Sequence, residues 1–274
     1  MKIAHLLVAG ALAFSTASLC AQSTVYVTPT NMQGWSNNDT TVGSVSAITP
    51  VFPRSGNGSA QLTTTPTGKS SFELYWNPIG TNPFGTNTTI ASLSTLSMDI
   101  FRSSATDSLP SAAPDYAAPA LRFFFNDGQG HAGSLVYEFV YNGSGSGTPV
   151  VPNDTWLNVD YLSSKLWMNT GGTNYDVAGG FLTLQQWTDP SVAKIAGTYT
   201  LDPNTTYVTG VQFSYGSSAG AFEGAVDNVR VGFAGGNDNL YNFEVVPEPS
   251  TFALGFLGLA GLAASWRLRR SRRA

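Results

Sequence analysis

The chain has 274 residues, of which only 11% are charged, and a net charge of −4 with a single cysteine. Ordinary globular domains carry about 25% charged residues, so this surface must be built mainly from Ser, Thr, Asn and Gly. The lone cysteine is Cys20, which excludes disulfides, cysteine nucleophiles and thiolate metal clusters from all that follows it.

Met1-Lys2 gives a short positive start, residues 6–19 are apolar with small polar breaks, and small residues surround Cys20, Ala21 and Gln22. Residues 1–21 therefore read as a secretory signal peptide, and His5 inside it carries no chemistry. Leu19 directly before Cys20 fits poorly with the small-residue box of a lipidated cysteine. Beyond the signal, residues 22–246 hold seven basic against sixteen acidic residues, a net of −9. Such a surface repels phosphate backbones, and no nucleic-acid partner is expected. Without disulfides stability must come from a core, which ~225 residues can supply.

From residue 23 to 244 the pattern is short strands punctuated by turns. Phe72, Leu74 and Trp76 alternate with polar residues, as do Leu96, Met98 and Ile100. Residues 121–125 run into Asn126-Asp127-Gly128, and residues 135–141 end at Asn142-Gly143, both turn signals. Further strands are expected at 156–162, 181–187, 207–215 and 225–233. No window of eleven or more residues in this region keeps a helical period, and residues 103–119 read as a long exposed loop. The expected fold is all-β, one two-sheet β-sandwich of jelly-roll type over residues 22–244. No fixed-period repeat points to a propeller or solenoid.

An enzyme is not expected. His131, the one histidine after the signal, sits in a Gly-rich turn, with no Gly-x-Ser-x-Gly elbow in the chain. Glu138 reads as a polar residue facing outward or into a groove. Aromatic faces stack on sugar rings, and Trp35 and Trp167, flanked by polar residues, are the candidate carbohydrate-binding residues, whereas Trp76 and Trp156 fit core positions. Asx-rich loops at 126–128, 153–154 and 236–239 supply the oxygens calcium wants, and no other cofactor is expected. Six Asn-x-Ser/Thr sequons occur, at Asn38, Asn57, Asn87, Asn142, Asn153 and Asn204, in a chain where composition alone produces several.

The last stretch has three parts in order: Pro247-Glu248-Pro249, an apolar helix over 251–266, and a basic tail over 267–274 with five arginines. The prolines hold Val246 and Glu248 extended, the backbone form that a protease cleft binds. Phe252 to Trp266 would rise roughly 22 Å at about 1.5 Å per residue. That is short of a ~30 Å bilayer core, and the arginines should keep the C-terminus cytoplasmic. This order resembles the PEP-CTERM sorting signal of Gram-negative bacteria, here residues 245–274. The resemblance implies that an exosortase recognises Pro247, Glu248 and Pro249 and removes the helix and tail. A plain C-terminal anchor after a Pro-rich linker is the other reading.

The stretches Gly56-Asn57-Gly58-Ser59, Leu135-Val136-Tyr137-Glu138, Ala225-Val226-Asp227-Asn228-Val229-Arg230 and Tyr241-Asn242-Phe243-Glu244 also look like the ectodomain of one group of PEP-CTERM proteins. The Asp-Asn-Val-Arg strand is similar to the closing strand of jelly-roll carbohydrate-binding modules, a likeness that implies Asp227 as a structural calcium ligand. Together these readings imply an exported, exosortase-processed, non-enzymatic protein of the cell surface or extracellular matrix, associated with exopolysaccharide. It would pass through an inner-membrane intermediate held by its C-terminal helix. The alternative is a carbohydrate-binding module delivered by the same signal.

Overall fold

The computed structural model describes residues 22–142, 149–216 and 220–246. The expected signal peptide, the Pro-Glu-Pro motif, the apolar helix and the basic tail lie outside the described residues. Among those described, no helix is long and apolar enough to cross a membrane.

Two sheets face each other across one core. The first contains β1 (Gln22–Val27), β3 (Val45–Thr49), β4 (Ser59–Thr64), β6 (Leu93–Arg102), β9 (Trp156–Asp160), β14 (Phe222–Phe233) and β15 (Asp238–Phe243). The second runs in the order β11 (Thr173–Asn174), β10 (Lys165–Thr170), β8 (Ala132–Tyr137), β7 (Ala120–Asn126), β13 (Tyr207–Gly216), β5 (Lys69–Tyr75) and β2 (Trp35–Ser36). A short β12 (Leu182–Thr183) pairs β10 and leads into α1 (Leu184–Thr188), a single turn closed by a capping box between Thr183 and Gln186. Residues 181–187 were expected to form one strand. The capping box ends it early and swings the buried Trp187 under the sheet, where its indole N–H donates to the Leu166 carbonyl at 3.0 Å.

Strand β14 organises the first sheet. On one side it pairs β6 along nearly its whole length, and on the other its first half pairs β4 and its second half β15. The handover falls at Asn228, whose φ of 50° is left-handed and whose register slips against β6. That is a β-bulge, at a residue type that tolerates the conformation. β15 then pairs β1 in parallel, whereas the other strand pairs among the described residues are antiparallel.

Alternation places the core. Leu96, Met98 and Ile100 of β6 meet Leu121, Phe123 and Phe125 of β7 and Val211 and Phe213 of β13, all buried. The densest part is aromatic. Trp35 lies against Phe213, Tyr241 and Phe243 with ring centroids 5.3–5.5 Å apart, and Phe72 packs against Phe213 and Phe243. Trp35, expected at the surface, is 3% exposed; polar neighbours in sequence mislead here because β2 is an edge strand two residues long. Trp156 departs the other way. Leu157 and Val159 take the inward phase of β9, so Trp156 lies outside, against Phe101 at 5.2 Å. The loop over residues 103–119 is not simply exposed. Thr106, Ala113 and Ala117 are buried, and the guanidinium of Arg102 ties the loop down through Asp107, Asn153 and the Ala113 carbonyl.

Candidate functional site

The outer face of the second sheet carries the site. Because successive side chains on a strand point to opposite faces, the residues between the core positions of β5, β13, β7, β8 and β10 all point away from the core. The register lines up Glu73, Gln212, Arg122, Val136 and Trp167 in one row across these five strands. A neighbouring row runs Tyr75, Gly210, Phe124, Ser134 and Asn169. At ~4.8 Å between strands, each row spans roughly 19 Å.

A cleft of about 280 Å³ opens over the first row, with Arg122, Glu138, Trp167, Asp176, Ser214 and Lys69 in its lining. Trp167, the second tryptophan expected at the surface, is instead buried at 5% exposed; it borders the cleft, and its indole N–H donates to Glu138 Oε2 at 3.1 Å. Burial foremost, and then the Asp176 carboxylate, push the Glu138 carboxyl above its ordinary range, against the pull of the Trp167 N–H and the Arg122 charge. At the other side of Arg122, Asp39 accepts hydrogen bonds from Lys69 and from the Gln212 amide, the latter at 2.9 Å. Glu73 accepts from Ser36 Oγ, the Asp39 amide and Ser71 Oγ.

The second row forms an aromatic platform beside the cleft. Tyr75 is 55% exposed and lies 5.0 Å from Phe124 across β13. Gly210 makes this possible: a Cβ there would come within 2.5 Å of the Tyr75 ring. A shallow depression lined by Tyr75, Phe124, Ser134, Asn169 and Thr209 continues from it. Sequence reasoning did not single out Tyr75, Phe124 or Arg122. The one available signal for Tyr75 was its place out of phase with Phe72, Leu74 and Trp76.

His131 is an exposed loop residue, with Nδ1 2.6 Å from Asp127 Oδ2 and its ring against Tyr199. It lies outside the cleft lining.

Asp227, the expected calcium ligand, is fully buried in the β14 bulge. Its Oδ1 accepts the Phe243 amide at 2.9 Å, its Oδ2 the Ser55 amide at 3.2 Å, and the Asn228 amide also donates to it. Calcium requires six to eight oxygens with lone pairs directed at the ion. Here the carboxylate faces N–H donors, and among the described residues no group of three or more His, Cys, Asp or Glu converges. The residues do not fit a calcium site. Asp227 instead anchors the loop at Ser55 to the end of β15.

Burial first, and then the negative charge of Glu244, push the Asp227 carboxyl up to about 7, against the pull of the three amides. The folded protein therefore holds a proton that the unfolded chain, with an aspartate near 3.9, releases. Stability from this group is fully present below about pH 4, declines as pH rises from there, and is lost as pH passes through 7. Between pH 5 and 8 the unfolding free energy should fall by on the order of 3 kcal/mol, and Asp227→Asn should flatten that slope. Urea midpoints across the pH range test this; a slope unchanged in the variant removes Asp227 as its source.

The folded domain ends at a clamp. Asn57 Oδ1 accepts the Val245 and Val246 amides at 3.2 and 3.4 Å, its Nδ2 donates to the Val246 carbonyl at 3.1 Å, and its own amide donates to Glu244 Oε2 at 2.7 Å. Gly58 leaves the room, since a Cβ there would sit 2.7 Å from the Val245 nitrogen. Pro247, Glu248 and Pro249 thus follow a backbone fixed to the sandwich as far as Val246.

No curated protein matches the chain. Among solved structures it is similar to a family 11 carbohydrate-binding module from Clostridium thermocellum in complex with a β-1,3-1,4-mixed-linked tetrasaccharide. The identity is 14% and the TM-score 0.38, over 73% of this chain and 89% of that one. It is also similar to a xylan-binding domain from Paenibacillus barcinonensis, at 12% identity and a TM-score of 0.35, over 76% of this chain and 88% of that one. At the end of the chain, residues 245–270 match the PEP-CTERM protein-sorting motif. That match begins at the residue Asn57 holds, so the chain carries a PEP-CTERM protein-sorting motif directly after its folded sandwich.

Proposed function

We propose that this protein is exported, cut at its PEP-CTERM motif by an exosortase after an inner-membrane stage, and retained at the cell surface or in the matrix. There its sandwich binds a glycan and performs no catalytic step. Pro247, Glu248 and Pro249 are the residues the exosortase reads. The observation that carries glycan binding is the joining, on one solvent face, of an exposed aromatic platform to a polar cleft. The Tyr75–Phe124 surface offers an apolar, electron-rich face to sugar C–H groups. Arg122, Glu138 and Asp176 beside it offer donors and acceptors to hydroxyls. Neither histidine nor cysteine lines the cleft.

Titration of the exported protein with a panel of neutral and acidic polysaccharides tests the reading. Saturable binding is expected, with a change in tryptophan emission because Trp167 forms a cleft wall. Tyr75→Ala should weaken binding by about tenfold, the scale of one lost aromatic contact. Absence of saturable binding across the panel would leave a structural matrix role in its place.

A further inference from the structure

Four arginines lie among the described residues, and three are paired. Arg54 binds Asp99, Arg102 binds Asp107, and Arg230 binds Asp238. Arg122 makes no hydrogen bond or ion pair with any described residue, and its Nε is buried without a partner. A guanidinium has five N–H donors and no acceptor, and one removed from water normally has its charge answered.

The nearest carboxylates, Asp39 and Glu138, act on it only through space, with no hydrogen bond or ion pair in contact. Asp39 is taken by Lys69 and Gln212, Glu73 by Ser36, Ser71 and the Asp39 amide, and Glu138 by Trp167. Asp176, the remaining acid of the cleft, makes no ion pair with it either. The register places Arg122 beside Val136 and Gln212, neither of which carries charge. Arg122 therefore lines the cleft with its N–H donors unpaired by any described residue, its charge met only at a distance.

We propose that Arg122 is the anchor for a carboxylate-bearing sugar, so that the glycan bound in this cleft is an acidic polysaccharide of the uronate type. Planar bidentate pairing of guanidinium with carboxylate is the interaction this geometry leaves open. Glu138 and Asp176 then serve hydroxyls of the same or the adjacent ring as acceptors. The protein's overall negative charge gives no long-range attraction for an acidic polymer, so recognition must come from this local contact. The proposal rests on the reading of the cleft as a glycan site.

The test separates the two. The exported protein is titrated with polygalacturonate, alginate and glucuronan, each beside its carboxyl-reduced counterpart, and with a sulfated galactan. At least one uronate polymer should bind about tenfold tighter than its reduced form, and added salt should narrow the gap. Arg122→Gln should bring that ratio to about one, with Arg122→Lys intermediate. Tyr75→Ala should weaken acidic and reduced polymers alike and leave the ratio intact. Thermal melts of Arg122→Gln should stay close to the wild type, because no hydrogen bond to a described residue is lost. If reduced polymers bind as tightly as acidic ones, the Arg122 proposal falls while glycan binding stands. If the sulfated galactan alone binds in an Arg122-dependent way, the carboxylate assignment falls. If no polymer binds, both fall.

Discussion

With alanine at Pro247, Glu248 and Pro249, the protein should accumulate in the inner membrane and keep residues 251–274. A simple anchor needs apolar length and flanking arginines and is indifferent to what precedes them. A processed signal needs the motif as well, because the protease binds the extended backbone that the prolines enforce. The unsubstituted protein should be recovered from the surface or medium without its tail. Fractionation followed by intact mass decides the matter: Arg269 to Ala274 still present on the unsubstituted protein in its own host would replace processing with permanent anchoring. The clamp adds a condition. Because Asn57 fixes the chain as far as Val246, an exosortase reading Pro247 to Pro249 would have to approach the base of the folded sandwich.

Trp35→Ala should be the most damaging single change in the core, costing about 3–5 kcal/mol. That is a large part of the ~5–15 kcal/mol that holds a typical domain together. Trp35 fills the space between the two sheets, touching Phe213 on one and Tyr241 and Phe243 on the other. A cavity there cannot collapse without moving both sheets. Trp35→Phe should cost markedly less, since most of the volume stays and the indole N–H has no partner to lose. Urea unfolding of the three proteins measures both differences. Equal midpoints for wild type and Trp35→Ala would mean that this cluster does not join the sheets.

Trp35 and Trp167, both buried where the surface was expected, mark the limit of what the sequence made legible. Where a strand is five residues or longer, as with Leu96, Met98 and Ile100 or Leu121, Phe123 and Phe125, alternation names the buried face and the structure agrees. For Trp35 the strand is two residues long, and alternation has no length in which to show. The cleft was hidden for another reason. Lys69, Arg122, Glu138, Trp167 and Ser214 come from five different parts of the chain, and only the pairing register brings them to one face. Register depends on turns and bulges whose effect on distant strands cannot be read locally. Gly210 illustrates the point, reading as a weak spot in a strand until Tyr75 is seen lying across it. Asp227 was singled out by its strand, but one of its amide donors is Ser55, 172 residues away, and another is Phe243 at the end of the next strand.

The parallel pairing of β1 with β15 has a consequence for the order of events during export. A chain that crosses a membrane amino end first delivers β1 at once, but its partner is the last strand of the domain, as the Ser23–Asn239 contact across 216 residues shows. β15 also fills the place between β1 and the second half of β14. Until residue 243 has emerged, both strands keep open edges and the sheet cannot close, a long-range closure that is slow by nature. The sorting motif follows immediately after that strand. Completion of the fold and arrival of the sorting motif therefore coincide, and a chain cut short before β15 carries neither a closed sheet nor that motif.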